Sequence, residues 1–284
     1  MANGLARIRP ASTTGARPVI VGVLNLTPDS FSDGGEFTAH DLAIAHAVEL
    51  RSQGADLIDV GGESTRPGAE RIDPGVEQDR IMPVVIDLVQ RGISVSVDTM
   101  NSSTALAAAR AGVRVINDVS GGLADPEMYR IVAQTGVRYI ASHWRGHSDT
   151  MDDLTNYEDV VAEVRDALKA RIAELLVWGV SPERIVVDPG LGFAKTSAHN
   201  WALLAALADL ESLGYPILIG ASRKRFLAPF AEDDAPPSDR DFATAIISAL
   251  AARAGVWGVR VHNVHETKTA LDIWSAMQTG RFDG

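Results

Sequence analysis

Eight short runs rich in β-branched residues recur along this chain and alternate with amphipathic stretches. The runs lie at 19–25, 56–62, 94–99, 113–119, 137–143, 184–190, 216–222 and 256–262. A helix between two strands returns the chain to the same end of the sheet, so strands in this pattern pair in parallel. Eight such units in 284 residues suit a closed barrel, whose usual length is roughly 250 residues. We therefore predict the α/β class, with a single (β/α)8 TIM barrel.

The main alternative is a doubly wound open sheet, which has the same alternation of strands and helices. No G-x-G-x-x-G motif follows the first strand run, and the even size of the eight units favours the barrel. Residues 1–17 show no period and are expected to form a mobile tail, which leaves 18–284 as one barrel domain. The polar segment 231–240 is interpreted as a surface loop of that domain.

Three local patterns predict where helices begin, because each places a side-chain acceptor before a first helical turn. They are Asp73 before Pro74, Asp125 before Pro126, and Ser238 with Asp241 three residues later.

Composition excludes several classes of function. The chain has no cysteine, which removes disulfides, thiolate metal sites and cysteine nucleophiles. No apolar run approaches the roughly 20 residues of a membrane span, so a cytoplasmic protein without membrane contact is expected. A net charge of −11 opposes binding to nucleic acid, and an anionic ligand therefore requires a locally basic pocket.

Polar and charged residues stand at the end of every strand run. In chain order these ends carry Asn25, the GGESTRPG segment, Asp98, Asn117, His143, Asp188, the ASRKR segment and Arg260 with His262. Taken singly, each is explained as a helix cap or a surface charge. In a barrel all eight ends meet on the face where barrel enzymes place their chemistry, which predicts one shared site.

Seven segments resemble the successive signatures of the dihydropteroate synthase family, in order and on the expected strands: NLTPDSFSDGG, DVGGESTRPG, SVDTM, INDVSGG, DPGLGFAK, GASRKRF and RVH. The resemblance runs from about Val19 to the end of the last helix. It implies a pterin-binding (β/α)8 barrel that uses Mg2+ and joins a dihydropterin pyrophosphate to p-aminobenzoate. It also implies a homodimer and a sulfonamide target.

A flat pterin ring presents an edge of donors and acceptors, and carboxylates and amides on rigid strand ends suit that edge. The resemblance assigns the ring to Asp98, Asn117, Asp188, Phe193 and Lys224, and the catalytic roles to Asp33, Asp98, Lys224 and Arg260. Lys224 stands between Arg223 and Arg225, a setting that suits an anion or a ring carbonyl. A Schiff base formed by Lys224 remains the alternative.

The pyrophosphate is expected at strand eight. Arg260 and His262 are two residues apart on one strand, so their side chains point the same way and form an anion clamp. The resemblance adds Thr65, Val261 and Asn25 to this subsite, with Asn25 as the Mg2+ ligand. A strand-end histidine held only by hydrogen bonds is the plain alternative for His262.

The resemblance assigns p-aminobenzoate to a set drawn from several loops: Phe31, Thr65, Arg66, Pro67, Phe193, Lys224 and Arg225. Three positions depart from the common family pattern, namely Ser142, Arg225 and Asn263. Arg225 stands where serine is frequent, which puts recognition of the p-aminobenzoate carboxylate in doubt.

Three other functions fit the same barrel. They are a pterin-binding relative without catalysis, a methyltransferase pterin domain that serves a corrinoid partner, and a Schiff-base aldolase that uses Lys224. The intact ESTRPG segment argues against the first, and the chain contains no cobalamin-binding region for the second.

Overall fold

The computed structural model describes residues 17–27, 35–64 and 68–281. The predicted strand runs all contain strands, most of them shorter than the run. The strands are β1 (Val19–Asn25), β2 (Leu57–Gly61), β3 (Val95–Asp98), β4 (Val115–Asp118), β5 (Arg138–Ser142), β6 (Ile185–Asp188), β7 (Leu218–Ile219) and β8 (Gly258–Val261).

Helices follow the strands in alternation, with two of them between β6 and β7. The helices are α1 (Gly35–Gln53), α2 (Pro74–Gln90), α3 (Ser102–Arg110), α4 (Met128–Thr135), α5 (Val160–Val177), α6 (Ser197–Ala205), α7 (Leu207–Glu211), α8 (Asp241–Arg253) and α9 (Val264–Thr279). Short 3-10 turns lie after β5 and β7.

The eight strands of the described ranges form one parallel sheet in the order β6-β5-β4-β3-β2-β1-β8-β7. A parallel bridge between Val187 and Ile217 joins the two ends of that order, and the amide of Val187 donates to Pro216 O at 2.9 Å. The sheet is therefore a nearly closed barrel, which confirms the predicted (β/α)8 fold over the open sheet.

The side chains inside the barrel change from apolar to polar along the barrel axis. At the amino-terminal end, alternate residues of the strands form a buried apolar cluster of Val21, Leu57, Val115, Ile140, Val186, Leu218 and Trp257. Several of the next inward positions toward the carboxyl ends are polar, and Asp59 and Asn117 are buried there. A second apolar core packs between the strands and the helices. The fold thus carries its polar side chains to one rim.

One of the three predicted helix starts is confirmed. Asp73 caps α2, since its Oδ1 accepts from the amide of Gly75 at 2.7 Å.

The other two are wrong. α4 begins two residues after Pro126, and Asp125 instead accepts from the amide of Ser102 at 2.8 Å, at the first residue of α3. Ser238 lies in the 3-10 turn Pro237–Arg240, and Asp241 binds Arg223 at 2.7 Å. Asp241 is thus taken by a tertiary partner. Asp125 is shared, because its Oδ1 accepts from the nearby amide of Glu127 at 2.9 Å and its Oδ2 accepts from Ser102.

Arg17, the last residue of the predicted tail, makes an ion pair with Asp56 at 2.7 Å. Residues 1–16 lie outside the described ranges. Across those ranges, no helix combines the length and the apolar character needed to cross a membrane.

Candidate active site at the carboxyl rim of the barrel

Strand register brings the predicted residues of β1, β3 and β4 to one level of the barrel. Asn25 pairs with Gly61, Gly61 pairs with Asp98, and Asp98 pairs with Asn117. Residues in register on neighbouring parallel strands present their side chains on the same face. Asn25, Asp98 and Asn117 therefore line one side of the rim.

Arg260 connects this side of the rim to β8. Its Nε donates to Asp59 Oδ2 at 2.6 Å and its Nη2 donates to Asp98 Oδ2 at 2.8 Å. The amide nitrogen of Asn117 donates to the same oxygen of Asp59 at 3.0 Å. The backbone of Arg260 pairs with Val21, nearer the amino-terminal end of the barrel. Its long side chain therefore extends toward the carboxyl rim to reach the two carboxylates.

Sequence reasoning missed Asp59. This residue is fully buried, and its Oδ1 has no hydrogen-bond partner within the described ranges. A buried carboxylate oxygen without a donor is costly, which makes Asp59 Oδ1 a candidate acceptor for a donor group of a ligand at the rim. Its signal was present, because a carboxylate interrupts the otherwise apolar run DLIDVGG.

Burial raises the pKa of Asp98 to about 7, against the attraction of Arg260 and with added repulsion from Asp59. The carboxyl group therefore changes its charge close to neutral pH. A group that is poised in this way is a candidate for acid, base or charge-stabilising roles.

The opposite side of the rim is formed by β6 and the segment after β7. Asp188 Oδ1 accepts from the amide of Gly190 at 2.7 Å. A Cβ built on Gly220 would lie 3.7 Å from Asp188 Oδ2 and 3.8 Å from Lys224 Nζ. Gly220 thus leaves open a space that both charged groups border.

Lys224 also contacts the loop after β6. Its Nζ donates to Leu191 O and lies 4.5 Å from the ring centroid of Phe193. Burial lowers the pKa of Lys224 to about 8, although Asp188 opposes that shift.

The arginines on either side of Lys224 in the sequence point elsewhere, so they do not supply the basic setting that the sequence suggested for Lys224. Arg223 binds Asp241 at 2.8 and 2.7 Å, and Arg225 binds Asp152 at 2.8 and 3.0 Å. The Arg225–Asp152 pair is largely exposed. Lys224 is therefore the cation of ASRKR that lies against Phe193 and Asp188.

The side chains of the residues predicted on β8 point in different directions. Arg260 is partly exposed at the rim, whereas the side chain of Val261 is buried between barrel and helices. Only the backbone of Val261 can therefore reach a ligand. His262 Nδ1 lies 2.9 Å from Ser222 Oγ, and its amide donates to that oxygen at 3.1 Å. Ser222 thus fixes His262 beside β7.

Asn25 is the predicted magnesium ligand. A Cβ built on Gly61 would lie 3.8 Å from Asn25 Oδ1 and 3.7 Å from Asp98 Oδ2. The missing side chain of Gly61 therefore leaves a space between two oxygen donors. Magnesium prefers oxygen ligands and keeps waters and phosphate oxygens around few protein ligands, so this donor set fits the ion. The described ranges contain no cluster of three histidine or acidic side chains arranged to hold a metal.

Several predicted site residues lie outside the described ranges: Phe31, Asp33, Thr65, Arg66 and Pro67. Ser142 and Asn263, two of the positions that depart from the common family pattern, lie within the described ranges. Ser142 is buried in β5, and Asn263 caps α9, since its side chain accepts from the amide of Glu266 at 3.1 Å.

A second buried polar network lies behind the rim, and sequence reasoning missed it as well. Glu77 Oε2 accepts from Thr99 Oγ1 at 2.9 Å, Asn101 Nδ2 at 2.8 Å and Thr104 Oγ1 at 2.6 Å. The carboxylate of Glu77 on α2 therefore fixes the segment that follows β3, directly after Asp98.

The segment that precedes residues 65–67 is anchored in a similar way. Arg71 binds Glu63 at 3.0 Å and Asn101 Oδ1 at 2.7 Å. This arginine links the stretch after β2 to the stretch after β3.

The chain is similar to proteins of known function over nearly its whole length. The model of the pterin binding enzyme family matches residues 21–262. A dihydropteroate synthase of Mycobacterium leprae is 52% identical over 262 residues, covering 90% of this chain and 92% of the relative.

Solved structures agree with that similarity. The dihydropteroate synthase of Xanthomonas albilineans with 4-aminobenzoic acid has a TM-score of 0.86 and 40% identity, covering 93% of this chain and 94% of the other. Its complex with 7,8-dihydropteroate has a TM-score of 0.83 and 38% identity, covering 93% and 95%.

Proposed function

Because the chain belongs to the pterin-binding enzyme family, we propose that it is a dihydropteroate synthase. This transferase of folate synthesis condenses 6-hydroxymethyl-7,8-dihydropterin pyrophosphate with p-aminobenzoate, and it releases 7,8-dihydropteroate and pyrophosphate. The observation that carries the proposal is the convergence of Asp98 and Asn117 with Asp188 and Lys224 on one barrel rim.

The pterin edge is recognised by acceptors and donors on both sides of that rim. Asp98 and Asp188 accept from the ring nitrogens, and Lys224 donates to the ring carbonyl. Asn117 uses its amide nitrogen on Asp59, which leaves its carbonyl oxygen for the ligand. These groups sit on strands or directly after them, so they are positioned before the substrate arrives.

The pyrophosphate binds at β8 and β1. Arg260 and His262 offer donors on the same side of β8, with support from the backbone of Val261 and from Thr65. Asn25 would hold Mg2+ together with the phosphate oxygens. When bound, the ion neutralises negative charge that develops on the leaving pyrophosphate.

The reaction is a displacement at the exocyclic methylene of the pterin. The C–O bond breaks, and its electron pair leaves with the pyrophosphate. The lone pair of the arylamine forms the C–N bond, and a proton then leaves that nitrogen for solvent. Arg260 stabilises the leaving group, while Asp33 and ionised Asp98 stabilise positive charge on the pterin.

p-Aminobenzoate occupies the space in front of the methylene. As the family resemblance implies, we assign its apolar walls to Phe31, Pro67 and Phe193, and recognition of its carboxylate to Thr65, Arg66, Lys224 and Arg225. Arg225 reaches that carboxylate only after leaving Asp152, which an exposed ion pair permits at small cost. A sulfonamide that carries an arylamine competes for the same space.

The protein forms a homodimer in the cytoplasm. Support comes from an apolar surface on α8 and α9, where the exposed side chains are Phe242, Ile246, Leu250, Ile273 and Met277. Spacings of four residues place each set on one helical face, and a second copy of the chain covers such a surface well. Analytical ultracentrifugation tests this assembly. A dimeric wild type and a monomeric Leu250→Asp variant support it. A monomeric wild type contradicts it.

The function is tested by incubating the protein with dihydropterin pyrophosphate, p-aminobenzoate and Mg2+. We expect equal amounts of dihydropteroate and pyrophosphate, and loss of both when p-aminobenzoate is left out. Pterin binding without turnover identifies a binding protein instead. Trapping of a carbonyl substrate on Lys224 by borohydride identifies an aldolase.

A further inference from the structure

Lys195 follows β6, is 8% exposed and has no part in the chemistry proposed above. Its Nζ lies 2.9 Å from Gly190 O, 3.0 Å from Phe193 O and 2.9 Å from His143 Nδ1. An ammonium group has three donors, and here all three meet acceptors. Two of those acceptors belong to the loop 190–194 that precedes the lysine.

None of the three acceptors is a carboxylate, so this cation is buried without a directly bonded counter-charge. Burial of such a group is unfavourable unless it is compensated by hydrogen bonds. Accordingly, burial lowers the pKa of Lys195 well below its ordinary value, and the charge of Lys224 adds to this effect. A bond from the ammonium group to His143 Nδ1 requires the neutral tautomer of His143 that carries its proton on Nε2.

The loop bends tightly around the ammonium group. Gly190, Gly192 and Ala194 have φ values of 66°, 76° and 49°. Left-handed φ values are free for glycine but strained for alanine. A residue in such a conformation persists when its surroundings hold it there, and the bond from Lys195 to the carbonyl of Phe193 lies directly beside Ala194.

The loop in turn carries groups of the proposed site. Phe193 presents its ring to Lys224 Nζ at 4.5 Å, and Leu191 O accepts from that same nitrogen. Displacement of the loop therefore moves the aromatic wall and an acceptor of Lys224 together. Lys195 touches neither Lys224 nor Asp188 within hydrogen-bond distance, so it acts through the backbone.

We propose that Lys195 is a positioning residue, whose ammonium group holds the loop after β6 so that Phe193 stands at Lys224 as a wall of the p-aminobenzoate subsite. This inference rests on the proposed function. It adds to that function a residue outside the substrate contacts that sets the affinity for the second substrate.

The absence of cysteine from the chain permits a chemical test. Lys195→Cys, alkylated in denaturant with 2-bromoethylamine and refolded, regains a side chain of lysine length that ends in an amine. Alkylation with 1-bromopropane gives the same length without the amine. Lys169→Cys, at an exposed position of α5, is the matched control for both reagents.

We expect the propyl form to have a raised KM for p-aminobenzoate, by up to about 100-fold, since a small misplacement of a site costs that much. The KM for the pterin pyrophosphate should rise less than the KM for p-aminobenzoate, because Asp98, Asn117 and Asp188 belong to strands and do not depend on the loop. The aminoethyl form should regain the wild-type KM. Both forms of the Lys169→Cys control should match wild type.

Equal KM values for the propyl and aminoethyl forms overturn the proposal, as does a loss confined to kcat. If circular dichroism shows that the propyl form does not refold, His143→Leu decides the question by removing one acceptor of Lys195. A raised KM for p-aminobenzoate in this variant supports the role, and an unchanged KM overturns it. A wild type that forms no dihydropteroate defeats the proposed function itself, which the Lys195 variants do not test.

Discussion

Arg260 on β8 donates from Nη2 to Oδ2 of Asp98 on β3 at 2.8 Å, which joins strands that are far apart in the sequence. The contact pairs the proposed pyrophosphate cation with the proposed pterin carboxylate. Departure of the pyrophosphate and stabilisation of the pterin cation are therefore linked through one pair of side chains.

Asp98 should make activity depend on pH near neutrality. Its pKa of about 7 lies above that of a free aspartate, so the carboxylate form is lost as the pH falls through about 7. Ionised Asp98 stabilises the pterin cation, and we expect kcat to fall in the same direction. Asp98→Asn should lower kcat by about 100-fold or more. Its remaining activity should no longer follow this transition. A wild-type kcat that stays constant from pH 8 to pH 5 contradicts the assigned role.

Lys224 should make binding of the pterin pyrophosphate weaker as the pH rises, which is the opposite pH dependence to that of Asp98. Its pKa is lowered to about 8, so its positive charge is lost as the pH rises through about 8. The KM for the pterin pyrophosphate should therefore increase above that pH. Lys224→Arg should shift this increase to higher pH, because arginine stays charged. Steady-state kinetics of both proteins, measured across the alkaline range, provide the comparison.

Asp59 should contribute strongly to stability. It is buried against Arg260 at 2.6 Å, and removal of one partner leaves a charge without its counter-ion. Asp59→Ala should lower the free energy of unfolding by about 3–5 kcal/mol. Glu174→Ala, which removes the exposed partner of the pair with Arg171 at 2.8 Å, should cost less than about 1 kcal/mol. Urea denaturation of both variants measures the difference, and equal losses would argue against a buried ion pair at the rim.

Asn25 should set the requirement for magnesium. Asn25→Ala removes an oxygen donor from the rim, so the Mg2+ concentration for half-maximal activity should rise, with activity partly restored at high Mg2+. Asn263→Ala, at the cap of α9, serves as the control and should keep the wild-type requirement. An unchanged requirement in Asn25→Ala would remove Asn25 from the metal site.

The strands could be predicted because the β-branched, apolar character of each run is a local property of the sequence, and the observed strands are buried along almost their whole length. The same runs also placed Asn25, Asp98 and Asn117 at strand ends, and parallel pairing then brought them into register. The cap at Asp73 was predictable for the same reason, since its partner is two residues away.

Contacts between distant residues could not be predicted in this way. Arg225 and Asp152 are 73 positions apart, and no local pattern indicates that the first turns toward the second. Glu77 looks like an ordinary acidic residue of a helix, yet its carboxylate meets the donor hydroxyls of Thr99 and Thr104 only when α2 packs beside the segment after β3. Lys195 belonged to a recognised motif, but its role depends on His143, which lies 52 positions earlier.

The central claim is that side chains from separate strands form a single pterin pocket. Isothermal calorimetry tests this claim most directly. Dihydropterin pyrophosphate is titrated, in the presence of Mg2+, into the wild type, Asp98→Asn and Asp188→Asn. We expect one site in the wild type and affinity reduced at least tenfold in each variant, since each lost charged hydrogen bond is worth about 1.5–3 kcal/mol. Wild-type affinity in both variants would contradict the claim, because the two sides of the rim would then not share a ligand.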